Sequence, residues 1–105
     1  MLFRKIFIIF ICLIFSSNNL AFADPKMDLG LEVYNNKAQC GVCHTLQAAE
    51  SAGNIGPNLD QLKLQMPQII AAVTSGIGVM PPWEGILTYE EIEAVAYYVF
   101  SSTNK

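Results

Sequence analysis

The sequence predicts a small all-α domain of about three main helices. Three observations carry that expectation. Apolar residues recur at helical spacing in three separate segments. Strand signals are weak by comparison. Glycine and proline gather into two loops, Gly53 to Leu59 and Gly76 to Gly85, which punctuate the helices.

The start of the chain reads as a targeting segment. Arg4 and Lys5 give a positive n-region, Ile6 to Phe15 form an unbroken apolar run, and Ala21-Phe22-Ala23 supplies an A-x-A cleavage site. That run is about half the roughly twenty residues a spanning helix needs, so residues 1–23 are expected to leave as a cleaved signal peptide. Cys12 follows Ile11 rather than a small residue and is expected to leave with it. The domain is then 24–105, with no permanent membrane anchor expected.

The first helix is expected from about Lys26 to Lys37, with Leu29, Val33 and Tyr34 on one side. The second runs from about Met66 to Ser75. Pro67 suits its first turn, where a missing N–H costs nothing, Ile69, Ile70 and Val73 form its apolar face, and Gly76 marks the stop. The third has the clearest signals. Thr88 is an N-cap, Glu91 completes a capping box, and Leu87 and Ile92 stand at the hydrophobic-staple positions. Ile92, Val95, Ala96 and Val99 then recur at i, i+3, i+4 and i+7.

Between the first two helices stands Cys40-Gly41-Val42-Cys43-His44. Cys-x-x-Cys-His is the attachment signature of a c-type haem. The two thiols can each form a thioether to a haem vinyl group, and the adjoining His44 falls beneath the ring, where its neutral imidazole can bind iron. A structural zinc site needs about four ligands, and residues 24–105 offer two cysteines and one histidine. A thioredoxin-like pair wants a βαβ pattern that is missing here. A Cys40–Cys43 disulfide leaves the adjacent His44 unexplained.

Residues 24–105 carry four lysines against nine carboxylates, a net of −5, more negative than the −3 of the full chain because Arg4 and Lys5 lie in the signal. A surface so acidic excludes nucleic acid as an expected partner. A domain this short builds only a marginal apolar core, and a porphyrin would supply the missing apolar mass.

The motifs together resemble a class I monohaem cytochrome c, close to the small bacterial and cytochrome c6-like members, over nearly all of 24–105. Gly30 with Tyr34 four residues later resembles the N-terminal helix pattern, Cys40 to His44 the attachment motif, and Gly56-Pro57-Asn58-Leu59 the G-P-x-L loop. Met80-Pro81-Pro82-Trp83 resembles the distal-ligand loop, and Leu87 to Val99 the C-terminal helix. The chain departs from the family in a short Leu59–Met80 stretch. Its Gly-Pro-Asn-Leu element is also untypical of the photosynthetic cytochrome c6 branch, which argues against a photosynthetic role.

The resemblance implies a small class I cytochrome c fold, three helices around one covalently bound haem c. It implies thioethers at Cys40 and Cys43, His44 as proximal and Met80 as distal iron ligand, and the Pro57 carbonyl accepting the other imidazole N–H of His44. Gly30 and Tyr34 would pack against Val95 and Tyr98. Met80 is preferred to Met66 and Met27, because a loop of glycine and proline can aim a sulfur at a ring, whereas Met66 opens a helix patterned for packing. Trp83 is expected either to donate its indole N–H to a haem propionate or to lie as an aromatic lid on the ring.

The implied function is a periplasmic electron carrier, not an enzyme, exchanging electrons with unidentified redox partner proteins. Val42, Ile77, Val79 and Pro81 would rim the exposed haem edge as a transient docking patch. The alternative is the haem subunit of a periplasmic dehydrogenase complex, such as a sulfite or alcohol dehydrogenase. A gas-binding or peroxidatic protein would need an open distal position.

Overall fold

The computed structural model describes residues 24–105, so the expected signal peptide lies outside the described residues. Helix α1 spans Pro25–Glu32 and starts one residue earlier than expected. Asp24 caps it, its Oδ1 accepting the N–H groups of Lys26 at 3.0 Å and Met27 at 3.3 Å. The expected continuation to Lys37 is a π-helical turn over Val33–Lys37, closed by the Ala38 N–H on the Val33 carbonyl at 2.8 Å. This wider turn carries Val33 and Tyr34, both completely buried.

Two-residue strands β1 (Thr45–Leu46) and β2 (Ser51–Ala52) pair antiparallel, Thr45 opposite Ala52 and Leu46 opposite Ser51. They are too short for any alternating pattern to register, and the class stays all-α. Helix α2 (Leu59–Leu62) is a single turn absent from the expectations. Asn58 Oδ1 caps it, accepting from Asp60 N–H at 2.9 Å, and Lys63, at φ 49°, ends it. Helix α3 (Met66–Ser75) has the expected bounds, Pro67 in its first turn and Gly76 at its end. Gln68 Oε1 accepts the Gln65 N–H at 3.0 Å and adds a cap that the sequence reading passed over.

Helix α4 (Tyr89–Thr103) carries the expected capping box: Glu91 N–H on Thr88 Oγ1 at 3.1 Å and Thr88 N–H on Glu91 Oε1 at 3.0 Å. Leu87, Ile92, Val95, Ala96 and Val99 are all buried. Helices α1 and α4 make the most extensive helix–helix contact of the described residues. At their crossing a Cβ on Gly30 would stand 2.3 Å from the Ala94 carbonyl oxygen and 2.5 Å from Tyr98 Cβ. Only a residue without one lets the backbones approach so closely. Gly30 therefore faces Ala94 as well as the expected Tyr98, and the expected Val95 shares the buried core with Tyr34. Ala94 and Tyr98 form one i, i+4 stripe toward α1, while Val95 and Val99 form the neighbouring stripe toward a cavity. The Tyr34 and Tyr98 rings meet tilted at 55°, centroids 5.9 Å apart. Lys26 ties the crossing at its edge, 2.7 Å from Glu93 and 4.9 Å over the Tyr97 ring.

Candidate haem site

Cys40–Val42 forms one 3₁₀ turn. The Cys43 and His44 N–H groups both bond the Cys40 carbonyl, at 3.2 and 3.0 Å. This winding brings positions i, i+3 and i+4 to one side, so Cys40, Cys43 and His44 line the same cavity. Gln39, just before the motif, has φ 50°, a left-handed conformation unusual for a side-chain-bearing residue. Cys40 and Cys43 are not joined to each other. Burial pushes the Cys40 thiol up to about 11, the reverse of the low value that makes a redox dithiol reactive. Among the described residues no cluster of three His, Cys, Asp or Glu could hold a metal ion.

His44 Nδ1 stands 2.7 Å from the Pro57 carbonyl oxygen. A carbonyl only accepts, so Nδ1 carries the proton and, in neutral imidazole, Nε2 keeps its lone pair free for a metal. Gly56 supports the ring: a Cβ there would lie 2.6 Å from His44 Cε1. The Gly56 N–H also bonds the Cys43 carbonyl at 2.7 Å, tying this loop to the motif.

Met80 sits in a tight turn closed by reciprocal bonds, Ile77 N–H to Met80 O at 3.1 Å and Met80 N–H to Ile77 O at 2.9 Å. Gly78, at φ 57°, turns the corner. The Trp83 N–H on the Val73 carbonyl, 2.9 Å, and the Glu84 N–H on the Thr74 carbonyl, 3.3 Å, anchor the following segment to α3. The loop is hydrogen-bonded at both ends.

Cys40, Cys43, His44, Pro57, Met80 and Trp83 all line one cavity of about 380 Å³, within the roughly 300–1,000 Å³ usual for cofactor clefts. Met66 lines a different groove, with Pro67 and Ile70, and Met27 packs against the core. The rest of the cavity wall is almost wholly apolar. Its donor atoms are two thiols, one oriented imidazole and one thioether, a set suited to a covalently tethered haem. Ile77 at 68 % and Val79 at 88 % exposure stand at its mouth. They are apolar surface that a porphyrin would cover. Of the expected docking rim, Ile77, Val79 and Pro81 line the cavity, and Val42 stands outside it.

A family model described as cytochrome C oxidase, cbb3-type, subunit III, matches residues 25–99. The chain belongs to the cytochrome c family. It is a small class I cytochrome c, with haem c held covalently through Cys40 and Cys43. The c-type cytochrome SorU from Sinorhizobium meliloti has the same fold, with a TM-score of 0.73 and 47 % identity over 79 % of this chain and 97 % of that one. Cytochrome c6 of Microcystis aeruginosa is 34 % identical over 65 % of this chain and 89 % of its own. Chloroplastic cytochrome c6 of Chlamydomonas reinhardtii is 35 % identical over 69 % of this cytochrome, which spans 51 % of that protein's length. Such relatives make this cytochrome a haem-based electron-transfer protein.

The sequence reading missed Ser51, whose hydroxyl lies behind the attachment turn, and Gln39 in its left-handed conformation. A lone serine outside any motif gives no signal, and φ is not legible from a glutamine.

Proposed function

We propose that the cytochrome is a periplasmic carrier of single electrons, with His44 and Met80 as axial ligands of its haem iron. When bound, the haem supplies a one-electron couple between ferrous and ferric iron. Cys40 and Cys43 hold it at two points, and the Pro57 carbonyl fixes the tautomer and direction of His44. Met80 offers a neutral, soft sulfur that favours the ferrous state and raises the potential. With both axial positions filled no substrate reaches iron, so the protein is not an enzyme by itself. Trp83 covers the ring or donates to a propionate. Residues 1–23 direct export to the periplasm and are removed by cleavage, and unidentified redox proteins dock at the haem edge by the Cys40–Cys43 and Ile77–Pro82 loops.

The observation that carries this reading is the convergence of the thiols, the oriented imidazole and the loop-held Met80 on one apolar cavity, with Met66 outside it. Among the described residues no helix is long and apolar enough to cross a membrane. Met80→Ala tests the ligand assignment. It should lower the reduction potential and let carbon monoxide bind the ferrous protein readily, while Met66→Ala does neither. Equal behaviour of the two variants would overturn it.

A second reading is the haem subunit of a periplasmic dehydrogenase complex, of the sulfite or alcohol type. The matching family description names a subunit of a cytochrome oxidase, so a domain of this family can belong to a larger assembly. Native mass measurement of the protein from its own cells separates the two: a free monomer supports the carrier, a stable hetero-complex the subunit.

A further inference from the structure

The attachment turn is held from behind by a hydroxyl chain that no haem-binding motif contains. Ser51, in β2, packs beneath the Cys40–Val42 turn. Its Oγ stands 3.0 Å from the His44 carbonyl, 3.1 Å from the Leu46 N–H and 2.8 Å from the Tyr34 hydroxyl. A serine hydroxyl has one proton and two lone pairs. The His44 carbonyl at 3.0 Å and the Leu46 carbonyl at 3.5 Å can only accept, and the proton goes to the nearer, His44. The Leu46 N–H can only donate, so it takes one lone pair. The Tyr34 hydroxyl must then donate to the other. Every bonding position of Ser51 is used, and the direction of all three bonds follows.

Tyr34 is completely buried, and burial pushes its hydroxyl up to about 12, so it stays a neutral donor throughout the ordinary pH range. Its ring lies against Tyr98 at the α1–α4 crossing and also lines the haem cavity. The two peptides that flank the His44 Cα are thus each clamped: Gly56 N–H on the Cys43 carbonyl, and Ser51 on the His44 carbonyl.

We propose that Ser51 is a positioning residue for His44, and that Tyr34, acting through Ser51, couples the crossing of the terminal helices to the direction of the imidazole beneath iron. The Pro57 carbonyl fixes the ring and Ser51 fixes the backbone that carries it. The inference rests on His44 being an axial ligand. The Tyr34 hydroxyl bonds Ser51, so removing it should act by loosening Ser51.

The test uses the intact ferric holoprotein with Ser51→Ala, Tyr34→Phe and the double variant. Tyr34→Phe keeps the ring and its packing and serves where Ser51→Ala folds poorly. Paramagnetic NMR reads the hyperfine-shifted ring protons of His44 and the solvent exchange of its Nδ1–H. Both single variants should move the ring signals, Ser51→Ala more. Nδ1–H exchange should quicken on the order of tenfold in Ser51→Ala, the equivalent of one lost hydrogen bond. The double variant should unfold at a higher temperature than Ser51→Ala alone, because it no longer buries an orphaned tyrosine hydroxyl. Ring signals present but unmoved in both single variants, or strictly additive losses of stability, would overturn the coupling and leave His44 ligation standing. A wild type with no hyperfine-shifted His44 signals would overturn the ligand assignment, and the inference with it.

Discussion

The imidazole of His44 donates from Nδ1 to the Pro57 carbonyl at 2.7 Å while Gly56 lies against its ring. One short loop thereby sets the tautomer of a side chain that lines the cavity, and leaves the Nε2 lone pair free. Such outer partners orient a metal-binding histidine and raise its basicity.

Gly56→Ala tests that support. The added methyl would meet the ring at 2.6 Å, so ring or loop must shift. Overpacking of this kind costs about 1–3 kcal/mol. We expect lower thermal stability together with a changed ferric haem spectrum, measured by melting and by absorption of the holoprotein. A stability loss with an unchanged spectrum would show that the loop, and not the ring, gives way.

Gly30→Ala tests the helix crossing. On an isolated helix this change gains about 0.8–1 kcal/mol from propensity alone. Here the Cβ would meet the Ala94 carbonyl oxygen at 2.3 Å, and the contact is with backbone, which cannot swing away. The variant should lose about 1–3 kcal/mol in chemical denaturation. A gain in stability would contradict the close crossing.

Glu91 gives the fold a pH-sensitive tie. The Lys37 ammonium donates to its carboxylate, as does the Thr88 N–H, and both hold its carboxyl below the ordinary glutamate value. A carboxyl whose folded value is depressed contributes stability fully above its unfolded value, about pH 4.3. That contribution is lost as pH falls through the lower folded value. Glu91→Gln should therefore be less stable than wild type at neutral pH, and the difference should shrink below about pH 4.3. Denaturation midpoints across pH measure it, and a constant difference would remove the linkage.

Local signals were legible in the sequence and long-range ones were not. Thr88 and Glu91 announce the start of α4 because a capping box needs only residues three apart. Gly76 ends α3 for the same local reason. The π turn at Val33–Lys37 could not be read: it carries Tyr34 onto Tyr98, distant in sequence, and no local pattern marks it. Ala94 as the close neighbour of Gly30 could not be read because both stripes of α4 are apolar, and periodicity does not say which stripe meets α1 and which meets the cavity. Helix α2 is one turn long, below any periodic pattern. Ser51 escaped because its partners lie in two other segments, Tyr34 in the π turn and His44 with Leu46 at β1.

The ferric wild-type holoprotein at neutral pH offers the most direct measurement of the carrier reading: its near-infrared absorption. Sulfur from Met80 on ferric iron gives a charge-transfer band there, and we expect that band with a low-spin visible spectrum. A high-spin spectrum without the band would contradict ligation by Met80, and would place gas binding or peroxidatic chemistry ahead of electron transfer.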